Sequence, residues 1–235
     1  MSLNLDEIYK LQGELNTVIG RDTINDPKKH EWAFDYVIAL HDEATEMFNC
    51  TNWKFWSSEG KDKQYQKIVD YKNAKIEAID CLHFLVSLMQ VCEIQFDNKL
   101  CNNIWTDSSN FVKGKHELLS KYSVDLINDT VILMSIIREA AEESKCDVFE
   151  KNFENGYKYD FDKRIEVMEL IIENCITLLF SIFVILDFEE EDLLKIYKMK
   201  HEKNLLRQKN GYSVINKTED DNNEIKLKKN ENIRI

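Results

Sequence analysis

Residues 73–96 read NAKIEAIDCLHFLVSLMQVCEIQF, and the reading of this stretch decides the fold. Apolar residues recur at helical spacing on more than one side, which predicts a long helix buried almost all round. Two acidic residues interrupt its first half: Glu77 and Asp80 stand among Ile76, Ala78, Ile79, Leu82, Phe84 and Leu85. A three-residue offset places both side chains on one face of a helix. Carboxylates on a half-buried face repel each other and lose hydration, so the pair calls for a compensating cation.

The preceding helical stretch, HEWAFDYVIALHDEATEMFN at residues 30–49, repeats the arrangement. Glu43-Ala-Thr-Glu46 lies among Ile38, Ala39, Leu40, Ala44 and Met47, again with the two carboxylates three residues apart. One such pair is a common accident of a charged helix, whereas two on consecutive, otherwise apolar helices argue for a shared ligand. Glu43, Glu46, Glu77 and Asp80 together supply the oxygen-rich shell that Mg²⁺ or Mn²⁺ prefers. A di-iron carboxylate bundle would use E-x-x-H pairs, and none of Glu43, Glu46 and Glu77 carries a histidine three residues on.

Working outward, residues 4–19 place Leu5, Ile8, Leu11, Leu15 and Ile19 on one stripe, predicting a first helix that also carries Gln12 and Asn16. Asp26-Pro27 breaks the chain before the second helix. Residues 50–72 hold an aromatic turn and a lysine-rich, glycine-containing loop. Residues 97–121 are mixed and polar, and read as an excursion between two halves. Helices are expected again over about 123–145, 162–187 and 189–209, with a loop at Asn155-Gly156. From Ser213 the chain is polar and poor in large apolar residues, which predicts a mobile tail. The expected organisation is thus one all-α domain, 1–212, and a tail, 213–235.

Composition narrows the function. One proline and six glycines in 235 residues leave too few breakers for a strand-rich fold. A net charge of -12 opposes binding to nucleic-acid polymers, so an anionic ligand should be small and held by metal or a local cationic cluster. Six cysteines without a C-x-x-C pair read as reduced, mostly buried thiols of a cytoplasmic protein. The first residues lack a basic segment followed by an apolar one, so no secretory signal is expected. Residues 174–186 are uncharged for about a dozen residues, short of the roughly 20 needed to span a bilayer, and are expected to form a core helix with no membrane role.

Between the two carboxylate helices stands Trp53-Lys54-Phe55-Trp56, and the second acidic pair continues as Glu77-Ala-Ile-Asp80-Cys81-Leu82-His83-Phe84. An E-x-x-E helix, a W-K-x-W turn and an E-x-x-D-x-L-H-F helix in this order resemble the dimeric dUTPase family, within the all-α, MazG-like nucleoside triphosphate pyrophosphatases. Leu11-Gln12-Gly13-Glu14-Leu15-Asn16 resembles that family's uracil-reading segment. Lys200, Asn204, Arg207, Gln208, Gly211 and Tyr212 resemble its K-x-x-x-N-x-x-R-Q-x-x-G-Y phosphate signature. The likeness covers roughly 8–96 and 195–212; the middle is alike only in being helical.

The resemblance implies a homodimeric helical bundle with a four-helix, carboxylate-bearing core. It also implies hydrolysis of dUTP, and of dUDP, to dUMP with release of pyrophosphate or phosphate. Water would attack the α-phosphorus while metal neutralises the phosphate oxygens. Glu43, Glu46, Glu77 and Asp80 would bind Mg²⁺, or Mn²⁺ in its place, and a glutamate of the second helix, Glu46 for preference over Glu43, would take the water's proton. Lys200, Asn204 and Arg207, at i, i+4 and i+7, would meet the phosphates together with Lys54, and Trp56 would add a contact. Gln12 and Asn16 would read the uracil edge, and Phe84 would exclude a 2′-hydroxyl. His83 is expected to be a hydrogen-bonded core residue. Two other readings stay open: a related pyrophosphatase acting on dCTP or a non-standard nucleotide, and a nucleotide-sensing binding protein whose partner surface would lie in 97–160.

Overall fold

The computed structural model describes residues 3–61, 67–143 and 164–211. Seven α-helices account for most of them: α1 Leu5–Val18, α2 Ala33–Asn49, α3 Tyr71–Val91, α4 Asn98–Phe111, α5 Leu119–Glu143, α6 Ile165–Ile185 and α7 Glu190–Lys209. Among the described residues there is no strand, only an isolated antiparallel bridge between Thr51 and Ile68. The expected tail at 213–235, Tyr212 and the Asn155-Gly156 loop lie outside the described residues.

Local chemistry sets the helix starts. Asn4 accepts a hydrogen bond from the Glu7 amide, and Asp70 accepts one from the Asn73 amide at 2.9 Å, so α1 and α3 begin on capping side chains. The Asp26-Pro27 break leads into a short 3₁₀ turn, Lys29–Trp32, before α2 begins. Helix ends are set by left-handed residues. Glu93 has φ 61°, and the Ile94 amide returns to the Met89 carbonyl at 2.8 Å, so α3 stops five residues before Phe96. Asp187, with φ 54°, ends α6 in the same way, and its carboxylate takes the Tyr71 hydroxyl at 2.7 Å and His116 at 3.0 Å.

Helices α2, α3, α6 and α5 pack each against the next and close into a four-helix core. Leu40 and Met47 of α2 and Ile79, Leu82, Leu85 and Leu88 of α3 are fully buried there, each contributing about 2 kcal/mol of apolar burial. Helix α3 is buried along nearly its whole length, as its all-round apolar pattern requires. Helices α1 and α7 pair with each other and lie against α3, which brings the two ends of the domain to its acidic helix.

Residues 97–121 correct the sequence reading, since they hold α4 and the start of α5 rather than an irregular excursion. Asp97 caps α4 by accepting from the Lys99 and Leu100 amides. Cys101, Trp105 and Val112 bury one narrow stripe, Ser108 within it pairs with Ser181 at 2.9 Å, and α4 packs on α6. A stripe this narrow hides inside a polar composition.

Helix α6 is long and apolar enough to cross a membrane by length and composition, yet 61% of its most apolar window is buried within the protein. Burial is continuous from Leu179 to Leu186, and Met168, Ile172, Cys175 and Ile176 bury one stripe of the first half. Cys50, Cys81, Cys92, Cys101 and Cys175 are free, buried thiols; Cys146 lies outside the described residues.

Candidate metal and nucleotide site

Helices α2 and α3 pack against each other, and Ala44 and Ala78, each next in sequence to an acidic residue, are fully buried. That packing brings carboxylates of the two helices together. Oxygens of Glu43, Glu77 and Asp80 all lie within 4.8 Å of one another. Glu77 is only 4% exposed. Burial, reinforced by the charges of Asp80 and Glu77, pushes the Glu43 carboxyl up to about 9. Burial and the Asp80 charge push Glu77 up as well, to about 7, and the two share a hydrogen bond with Glu43 as donor. A carboxyl pair that must retain a proton lacks positive charge.

Glu46, the fourth predicted ligand, is half-buried one turn beyond Glu43 and stands outside the tight triad. Its charge still acts on both Glu43 and Glu77, so it borders the cluster.

Positive charge comes from α7. Lys200 is 3% exposed, and its Nζ lies 2.6 Å from Asp80 Oδ2. The sequence stripe put Lys200 with Asn204 and Arg207 at the phosphates; the fold instead turns its ammonium into the carboxylate cluster. Asn204 and Arg207 remain half-buried on α7. Lys54 and Trp56 occupy an exposed loop after α2, where Lys54 Nζ lies 5.9 Å from the centre of the Trp53 ring rather than at the carboxylates. This loop is closed at its base by Asn52, which accepts from the Lys67 amide at 3.0 Å and donates to the Glu59 carbonyl at 3.2 Å. Gly60 seals it, because a Cβ there would lie 2.1 Å from the Lys54 carbonyl oxygen. Phe84 is half-buried one turn past Asp80.

Beside the carboxylates lies a second, neutral polar cluster. Gln12 and Asn16 are 3% and 1% exposed and bonded to each other at 3.0 Å. Gln12 Nε2 also donates to Ser87, while its Oε1 accepts from the Tyr197 hydroxyl at 2.6 Å and from His83 Nδ1 at 2.6 Å. Asn16 Nδ2 faces Thr23, Ser87 and Gln90. The amides expected to read a base are therefore bonded within the protein. Burial, then the charges of Lys200 and His201, hold His83 well below the usual imidazole range, so it is neutral. With Nδ1–H given to Gln12, its buried Nε2 is a bare acceptor without a hydrogen-bond partner. The Tyr197 ring stacks on it at 4.2 Å.

Ser87, Gln90, Thr23 and Tyr197 were not singled out from the sequence. A signal existed: Asp80, His83, Ser87 and Gln90 are spaced three, four and three residues apart, a single polar stripe on an otherwise apolar helix. Thr23 and Tyr197 come from a turn and from the last helix, and nothing local marks them.

Carboxylates from two helices, a buried lysine and an adjacent amide pocket can hold a divalent cation beside an uncharged heterocycle. Three carboxylates offer the hard oxygen donors that a hard divalent cation takes. A family described as dUTPase matches the chain over residues 4–212, which include every residue of both clusters. No curated protein matches the chain significantly.

Proposed function

The chain belongs to the dimeric, all-α dUTPase family, and on that premise we propose that it is an Mg²⁺-dependent diphosphatase converting dUTP, and also dUDP, to dUMP. The observation that carries the metal assignment is the convergence of Glu43, Glu77 and Asp80 oxygens within 4.8 Å, in a site short of positive charge. Glu46 completes the acidic wall. Bound there, Mg²⁺ neutralises phosphate oxygens and acidifies a water; Mn²⁺ has the same donor preference.

The remaining work falls to side chains. Glu46, at the edge of the triad, takes the proton of the attacking water, with Glu43 as its neighbour on the same helix face. Asn204 and Arg207 present donors from α7 to the phosphates, and Lys54 and Trp56 add contacts from their loop. Phe84, a turn beyond Asp80, occupies the space a 2′-hydroxyl would need. Gln12 and Asn16 admit uracil by exchanging part of their internal bonding for the base edge, with no net loss of hydrogen bonds. Exposed Val131 and Ile132 on α5 and Val167 and Leu170 on α6 support a homodimer formed through these helices. The reduced thiols suit the cytoplasm.

Pyrophosphate release from dUTP tests this reading. With Mg²⁺ the wild type should turn over, and EDTA should stop it. Glu46→Gln should lose about 10³-fold in kcat, as removal of a general base does. Undiminished release in EDTA or in the variant would refute the proposal.

A further inference from the structure

A buried lysine is a strongly hydrated point charge that tolerates burial only beside an acceptor. Lys200 has one in Asp80, at 2.6 Å, and its charge also bears on Glu77. Its helix cannot easily withdraw. One turn earlier the Tyr197 hydroxyl donates to Gln12, and in the next residue His201 Nε2 lies 2.9 Å from the Leu11 carbonyl oxygen. The four-carbon stem of Lys200 can nevertheless swing its head while the backbone stays in place.

We propose that Lys200 is an exchangeable counter-ion: its ammonium holds the cation position at Asp80 while metal is absent and leaves when a divalent cation binds. This inference rests on the metal-binding reading of the triad. An ammonium and a divalent cation cannot both sit on the same carboxylate at contact distance, because their repulsion in a poorly solvated site is large. Metal binding therefore breaks the Lys200–Asp80 pair and releases a cation on the α7 face that carries Asn204 and Arg207. Lys200 also lowers the affinity of the empty site for metal.

The test needs no substrate. Mn²⁺ is titrated into the full-length protein without nucleotide, and free Mn²⁺ is followed by its paramagnetic resonance signal. Lys200→Met should bind Mn²⁺ about tenfold more tightly than wild type, since both a competitor and a like charge are gone. Lys198→Met, which removes the same charge from the same helix at its Glu7 pair, should shift affinity less than about twofold, as expected of a screened surface charge. Lys200→Arg, which grips a carboxylate with two donors, should bind Mn²⁺ about threefold more weakly, and this variant serves if the methionine variant does not fold. Equal affinity in all four proteins, or weaker binding by Lys200→Met, overturns the exchange and leaves the metal site standing. Absence of Mn²⁺ binding in every protein overturns both.

Discussion

Two polar clusters sit side by side on α3, and they solve burial in opposite ways. The amide cluster of Gln12, Asn16, Ser87, Gln90 and Tyr197 is neutral and bonded within itself, and one acceptor at its border, the buried Nε2 of His83, has no partner. The carboxylate cluster of Glu43, Glu77 and Asp80 holds a shared proton and one ammonium in place of sufficient positive charge. A neutral network whose amides are all bonded stabilises the fold. A cluster of like charges opposes the fold and marks the place where binding energy can be gained, in keeping with the usual cost of building an active site. The difference teaches that buried polarity alone does not distinguish structure from function; the unmet need does.

Gln12 joins more members of the amide cluster than any one hydrogen bond can replace. Gln12→Leu leaves the His83 Nδ1–H, the Tyr197 hydroxyl and part of Asn16 without partners, and should destabilise the protein by about 3 kcal/mol, read from urea unfolding. A neutral result would show that the amide network contributes no stability.

The carboxylate side should respond in the opposite direction. Glu43→Gln removes one ionisable member and should stabilise the metal-free protein at pH 8 by about 2 kcal/mol. The sign follows from the raised carboxyl. Folded Glu43 titrates at about 9 against an ordinary 4.5, so its contribution is fully present below 4.5 and is lost progressively as pH rises toward 9. The advantage of the glutamine variant in EDTA should accordingly vanish near pH 4.5 and grow with pH. In Mg²⁺ the wild type should recover relative to the variant. Thermal unfolding across pH, with and without metal, checks both statements, and a pH-independent difference would contradict the assignment of the proton.

The smallest expected effect sharpens the border between the clusters. Tyr197→Phe deletes one donor to Gln12 and leaves the ring stacked on His83, so it should cost about 1 kcal/mol of stability. Mn²⁺ affinity should stay unchanged, because the hydroxyl bonds to Gln12 and carries no charge to the carboxylates. A change in metal binding would mean that the two clusters act as one.

Much of this was readable along the chain. The expected helices include α1, α2, α3, α5 and α6, each of which buries an apolar face, and α7, although that helix buries only Leu193, Tyr197, Lys200 and His201. Periodicity failed at α4, where a narrow stripe of Cys101, Trp105 and Val112 sits in a polar sequence and the start depends on one capping aspartate. The two E-x-x-E/D pairs were legible because an acidic residue in an apolar helix violates the pattern. Their partners were not: Lys200 lies 120 residues from Asp80 and looks like any lysine of a basic helix.

Sequence by itself determined the helical class, the buried character of α3 and the presence of four carboxylates on two neighbouring helices, because each follows from local spacing and composition. Only the tertiary structure decided that three of the four converge, that Lys200 turns inward to Asp80, and that Gln12 and Asn16 bond within the protein. Those facts depend on which faces of α1, α3 and α7 meet, and hydrogen bonds and charges at a few ångströms are fixed by packing across long sequence separations rather than by any residue's neighbours in the chain.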